Sequence, residues 1–252
     1  MRLALITGGA RRLGRAIVRH LVNKNYRVIF TYNESTTAAL NLCNELNSLH
    51  DKDVCGMVQG NLLEKEDTYR MIRDIEGSPL FVNCNEGLHL IHNASIYKSS
   101  SLIDMSLEEQ LNLQRQYNRI HMEAPLQINL SLLKHFKTVK NASIIGITDC
   151  SRDRSWKDLA SYTASKAGLR QLQVNLAGEL PQHIPHLRCN TISPGAIMKP
   201  ESVDENIDNI VQEIPLKRFG TPTEIGEAVH FLCESEYING TNIKVDGGWS
   251  LT

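Results

Sequence analysis

Leu3-Ala4-Leu5-Ile6-Thr7-Gly8-Gly9-Ala10-Arg11-Arg12-Leu13-Gly14 decides the fold. The apolar run Leu3–Thr7 reads as a strand, the glycine cluster as a tight turn, and Arg12–Lys24 as a helix. In that helix Leu13, Ile17 and Leu21 recur every four residues and make one apolar face. Glycine lets the backbone turn sharply and approach a phosphate, and the helix N-terminus offers free N–H donors and a positive dipole end. Strand, glycine turn and helix in that order predict a phosphate-binding loop rather than an ordinary connection. Arg11 and Arg12 sharpen the expectation. Two cations at a helix N-terminus oppose its dipole by a few tenths to ~1 kcal/mol each, and an anion between them reverses that sign.

Outward from this loop the same alternation continues. Strand-like runs rich in Ile, Leu and Val fall at Arg27–Tyr32, Val54–Gln59, Leu88–His92, Ser143–Thr148, Arg188–Ser193 and Thr241–Val245. Helical patterns lie between them at Thr36–Leu49, Lys65–Ile75, Leu107–Phe136, Ala160–Leu180 and Thr223–Cys233. Nearly all-apolar strands alternating with helices predict a single-domain α/β fold over residues 1–252. Its parallel sheet is doubly wound and Rossmann-like, with helices on both faces.

Composition removes several function classes. Lys plus Arg number 27 and Asp plus Glu 28 in 252 residues, a formal charge of -1, which supplies no basic field for nucleic acid or a membrane surface. No uncharged run approaches the ~20 residues of a membrane span. The apolar stretch at the N-terminus is too short for a signal peptide. The six cysteines form no C-x-x-C pair, and no His spacing beside them suggests a metal. Reduced thiols and a cytoplasmic protein are expected.

The end of the second strand bears on the cofactor. An NAD site places an acid there, ~20 residues beyond the glycines, to bind the ribose hydroxyl. Here the sequence reads Thr31-Tyr32-Asn33-Glu34-Ser35. With Tyr32 at the strand end and Arg12 in the loop, a ribose phosphate fits better, which means NADP(H). Glu34 is discordant and is expected to turn away from that phosphate.

Tyr162-Thr163-Ala164-Ser165-Lys166 puts a tyrosine and a lysine on one helix face. A free tyrosine titrates near 10, and lowering that by ~3 units takes about 4 kcal/mol of differential stabilisation. An ammonium close by is expected to supply it, giving a tyrosine that exchanges a proton while a nicotinamide exchanges hydride.

These motifs, with Asn93-Ala94-Ser95, Asn190, Pro194-Gly195 and Val245-Asp246-Gly247-Gly248, resemble the short-chain dehydrogenase/reductases over essentially the whole chain. Four departures from the general pattern stand out. Arg12 replaces a loop glycine, Ser95 replaces the glycine after Asn-Ala, Asp149 stands where the catalytic serine is usual, and His121 before Pro125 replaces an asparagine. The first three are similar to pteridine reductases, and the fourth, with Ile91–Ser95 and Thr148-Asp149, to the bacterial dihydromonapterin reductases.

The resemblance implies NADPH-dependent reduction of a dihydropterin, dihydromonapterin or dihydrofolate. Asp149, Tyr162, Lys166 and His121 would be catalytic, with His121 holding a water that relays protons to Lys166. The cofactor would be held by Gly8, Arg11, Arg12, Leu13, Gly14, Tyr32, Asn33, Ser35, Asn61, Leu62, Asn93, Ala94, Ser95, Tyr162, Lys166, Pro194 and Gly195. In this set Asn61 would offer its amide oxygen to the adenine. The pterin would meet Arg12, Ser95, Asp149 and Tyr162 and stack on Tyr97, while residues 199–211 would form a lid. A homotetramer is implied, paired through Leu107–Phe136 and Ala160–Leu180. Trp156 and Trp249 could line a pocket but read more readily as loop or interface residues. Two alternatives remain at this point: a reductase of another carbonyl substrate, against which Asp149 speaks, and a catalytically silent NADP-binding protein.

Overall fold

The computed structural model describes residues 1–50, 52–150, 156–198 and 207–252. Its strands are β1 (Arg2–Ile6), β2 (Arg27–Tyr32), β3 (Cys55–Gln59), β4 (Gly87–His92), β5 (Asn141–Ile147), β6 (Leu187–Pro194) and β7 (Asn242–Val245). All pair in parallel, in the order β3-β2-β1-β4-β5-β6-β7. The strands are apolar on both sides because helices cover both sides. β4 and β6 are buried at every position.

The helices are α1 (Arg12–Asn23), α2 (Thr36–His50), α3 (Lys65–Glu76), α4 (Pro79–Val82), α5 (Leu107–Asn118), α6 (Ala124–Phe136), α7 (Ala160–Glu179), α8 (Ile207–Glu213) and α9 (Pro222–Glu234). Two apolar clusters form the core, one on each face of the sheet. One packs β4 and β5 against α3 and α6, the other packs β1 and β2 against α1 and α9. All six cysteines are free thiols. Among the described residues no helix is long and apolar enough to cross a membrane.

The single long helix expected over Leu107–Phe136 is two helices. Between α5 and α6 runs a π turn, Arg119–Glu123. Pro125 explains it. Proline has no N–H to give the carbonyl four residues back, that of His121, so the helix widens by a residue there. α4 and α8 are too short for the sequence period to reveal.

The strand order reverses direction between β1 and β4, and the groove outside their carboxyl ends is where this topology binds ligands. Asn93 fastens that point. Its side-chain nitrogen donates to the carbonyls of Thr7 at 3.1 Å and Gly8 at 2.9 Å. The Thr7 hydroxyl in turn accepts from the N–H groups of Asn93 and Ala94.

Candidate active site

A cavity of about 1000 Å³ runs along the carboxyl ends of the strands. Every candidate catalytic, cofactor or substrate residue named from the sequence lines it except His121.

At one end lies the glycine loop. Gly8 has φ +68°, and a Cβ there would meet the Ala94 Cα at 2.9 Å, so only glycine allows the turn and the close approach to β4. Gly14 permits α1 to dock on the loop, since a Cβ would sit 2.1 Å from the Gly8 carbonyl oxygen. The helix start has no side-chain cap and no acid in its first turn. Its first N–H groups are therefore left for a ligand. Arg12 stands at φ +50°, in the left-handed region that costs a side-chain-bearing residue roughly 1–2 kcal/mol. A strained arginine at an anion site points to a role for its guanidinium.

Beyond the loop, Arg11 faces the start of α2 across a smaller cavity shared with Glu34, Ser35, Thr36 and Thr37. No ion pair or hydrogen bond among the described residues engages the Arg11 side chain. Glu34 does not turn away as expected, because the bend at Asn33–Glu34 sets it on the groove wall beside Arg11. Asn61 also departs from expectation. Its amide oxygen accepts from the Leu63 N–H at 3.0 Å in a local turn, which leaves the amide nitrogen for a base.

At the other end of the groove, the Tyr162 hydroxyl donates to the Asp149 carboxylate at 2.9 Å. Asp149 leaves the end of β5 and Tyr162 sits in the first turn of α7, so strand and helix hold the pair together. Tyr97, 65% exposed, presents its ring edge-on to that of Tyr162, with centroids 5.0 Å apart. The Lys166 ammonium is buried and donates to the Ile147 carbonyl at 3.0 Å.

The electrostatics overturn one expectation. Burial pushes the Tyr162 phenol well above its usual range, and the charge and hydrogen bond of Asp149 push it further. Lys166 does not acidify it. Its own pKa is held down at about 8 by burial, against the pull of Asp149. In this site the tyrosine is a neutral phenol, a weaker acid than free tyrosine, with its proton held by Asp149.

His121, on the π turn, is 2.8 Å from the Ser95 hydroxyl through Nε2 and 2.8 Å from the Ser165 hydroxyl through Nδ1. Both ring nitrogens are thus engaged by serines rather than by a water leading to Lys166. Trp156 and Trp249 were expected in a loop or an interface. They meet edge to face at 4.6 Å and line the groove with Phe219 and Ile210. Phe219 carried no sequence signal, since a lone aromatic after a loop reads equally as core. The expected lid falls mostly on 199–206, outside the described residues, and its remainder opens α8, where Ile210 reaches the groove.

A family model described as "Enoyl-(Acyl carrier protein) reductase" matches residues 8–250. The chain belongs to the short-chain dehydrogenase/reductase family. It is 31% identical over 251 residues to a 3-oxoacyl-(acyl-carrier-protein) reductase of Rickettsia bellii (strain RML369-C), covering 97% of this chain and 95% of that one. It is 27% identical over 250 residues to carbonyl reductase family member 4 of Xenopus laevis, covering 99% and 98%. Among solved structures it resembles FolM alternative dihydrofolate reductase 1 from Brucella canis complexed with NADP. The TM-score is 0.86 at 25% identity, covering 100% of this chain and 94% of that one. The Brucella suis protein of the same name, also in complex with NADP, gives a TM-score of 0.79 at 25% identity, covering 100% and 96%. As a short-chain reductase this chain is an oxidoreductase.

Proposed function

We propose that this protein reduces a dihydropterin to the tetrahydropterin with NADPH, dihydromonapterin and dihydrofolate being the candidate substrates. The observation that carries the reading is the carboxylate of Asp149 on the Tyr162 hydroxyl, at the place where carbonyl-reducing relatives use serine. A carboxylate repels an alkoxide but accepts N–H bonds, and a pterin edge presents several N–H donors beside basic ring nitrogens.

The groove fits NADP(H). The uncapped start of α1 and the Gly8 turn form a cradle for the bridging phosphates. Arg11 and the start of α2 suit a ribose phosphate, with Glu34 on the same wall as an opposing charge. Both FolM structures, complexed with NADP, support this choice. When bound, the cofactor supplies the hydride. The chain's own residues do the rest. Tyr162 carries the proton for the ring nitrogen next to the reduced carbon and must release it from its bond to Asp149 as the transfer is made. The Lys166 ammonium lies 5.7 Å from the Tyr162 ring centroid and is bonded to the Ile147 carbonyl. Tyr97 offers its exposed ring as a stacking face, worth on the order of 1 kcal/mol beyond area burial. Ile210 lines the substrate end.

The sequence relatives favour a second reading, a 3-oxoacyl or other carbonyl reductase. Initial rates with dihydromonapterin, dihydrofolate, a 3-oxoacyl thioester and a simple ketone, each with NADPH and with NADH, separate the two. Dihydropterins with NADPH are expected to give the highest kcat/KM; equal or better turnover of a carbonyl substrate removes the reading. We also propose a homotetramer assembled through α5, α6 and α7, where Leu107, Leu111 and Leu130 stand exposed on α5 and α6. Light scattering on a sizing column tests it.

A further inference from the structure

Next to the Tyr162–Asp149 pair runs a second hydrogen-bond chain, through His121. It starts at Ser165, whose Oγ lies 2.6 Å from the Tyr162 carbonyl oxygen. A carbonyl has no hydrogen to give, and two oxygens that close need one between them, so the serine hydroxyl donates. Its one proton is then engaged, and towards His121 Nδ1, 2.8 Å away, Ser165 can only accept. The hydrogen of the His121 ring is therefore on Nδ1. Burial and the charge of Lys166 keep that ring neutral, with a pKa of about 2. Nε2 is then a bare acceptor. The Ser95 hydroxyl, 2.8 Å from Nε2, is the donor that satisfies it.

Two other acceptors compete for the same proton, the Ile96 carbonyl at 3.1 Å and the Tyr162 phenol oxygen, toward which a Ser95 hydrogen bond works to lower the phenol's pKa. Choosing either would strand Nε2 of a buried ring without a partner. The ring itself has little freedom. It lies parallel to Tyr117, with centroids 5.9 Å apart, and meets Tyr162 edge on at 5.8 Å. The π turn at Pro125 sets its place on the helix.

The consequence is at the groove wall. Ser95 lines the groove but its proton is turned inward, so it shows a ligand only oxygen lone pairs. Asp149 also shows acceptors. A substrate held beside Tyr162 thus meets acceptors from two sides.

We propose that His121 is a positioning residue that sets substrate class: by holding the Ser95 proton it makes that serine an acceptor, and the groove selects a ring edge rich in N–H donors over a carbonyl edge. The substrate part of this inference rests on the dihydropterin reading. The orientation of Ser95 does not.

The test is a double-mutant cycle, with a spectrum that needs no substrate. His121→Phe keeps a flat ring between Tyr117 and Tyr162 and removes both nitrogens. With dihydromonapterin and NADPH, it is expected to raise KM by about tenfold, with a smaller fall in kcat. In a Ser95→Ala background the same change is expected to move KM less than about twofold, because the residue it acts through is gone. Equal effects in both backgrounds overturn the proposal. His121→Gln, whose amide oxygen can accept from Ser95, is expected to restore part of the KM. It also serves as the second arm of the cycle if the phenylalanine variant does not fold. In protein labelled with ¹⁵N-histidine, His121 is expected as the Nδ1–H tautomer with an unprotonated Nε2 whose resonance shifts on Ser95→Ala. An Nε2–H tautomer overturns the proposal whatever the substrate proves to be. If the wild type turns over no dihydropterin, the functional reading falls, and the spectrum alone decides the orientation of Ser95.

Discussion

Acidification from pH 7 to pH 5 should cost this protein about 5 kcal/mol of stability, and three histidines are the reason. His89 and His92 on β4 and His121 on the π turn are all buried. Burial holds their pKa values down at about 3, about 4 and about 2, respectively. In the unfolded chain each titrates near 6.5. Below 6.5 the unfolded state binds protons that the native state does not, so stability falls with pH until the folded values are reached. Between pH 7 and pH 5 each histidine loses slightly less than ~2 kcal/mol by this linkage, at 1.36 kcal/mol per unit. The carboxylates do not blur this window. Those with lowered values, Glu224 at about 2 among them, hold their charge below it and lose their contribution only at lower pH. A domain with 5–15 kcal/mol in total should be marginal at pH 5. Urea unfolding at the two pH values, followed by far-ultraviolet circular dichroism at fixed protein concentration, gives the difference directly. His92→Gln, which can keep a hydrogen bond to Asn129, should remove about a third of the loss. A total loss below about 2 kcal/mol, or one unchanged in His89→Gln/His92→Gln, refutes the assignment.

Three further outcomes are expected. Asp149→Asn keeps the shape and removes the charge; dihydropterin kcat/KM should fall at least about 10²-fold while the NADPH Kd, read by fluorescence, moves less than about threefold. A fall under tenfold would remove the carboxylate from the chemistry. Arg12→Gly relieves the left-handed backbone and should stabilise the protein by up to about 1 kcal/mol in a urea melt, while weakening NADPH binding. Loss of both stability and affinity would show that the φ angle is not the source of strain. Lys166→Met removes an ammonium whose burial is unfavourable below about pH 8, where it must stay charged, and ceases to matter as pH rises past 10.5. At pH 7 it should raise the unfolding free energy by up to about 3 kcal/mol and abolish turnover; a less stable variant would contradict the depressed value.

The fold was legible because its signals are repeated. Seven apolar runs separated by helical periods leave few arrangements but a parallel sheet, and each strand was placed within about two residues. What escaped was set by single residues. Pro125 opens the helix at His121, an effect of one missing N–H that no periodicity displays. α4 and α8 have fewer turns than the period needs. Trp156, Trp249 and Phe219 reach the groove through loop geometry, on which residue type is silent.

At the site, spacing named the partners but misjudged how they act on one another. Lysine four positions beyond tyrosine on a helix shares its face, and the inference that it acidifies the phenol treats the pair as though it stood in water. Here the Lys166 ammonium is bonded to the Ile147 carbonyl, while Tyr162 is buried with a carboxylate on its hydroxyl. Removing a phenolate from water is unfavourable, and a neighbouring negative charge adds to that, so both effects push the phenol the same way. The sign matters for function. A phenol raised in this way is a weaker acid than free tyrosine, and its proton is already engaged by Asp149, so burial and the carboxylate make its transfer harder, not easier. The carboxylate favours a nitrogen heterocycle over a carbonyl only through what it can do to the substrate itself, accepting N–H bonds and repelling an alkoxide. Its charge on Tyr162 works the other way, by holding the phenol proton more tightly.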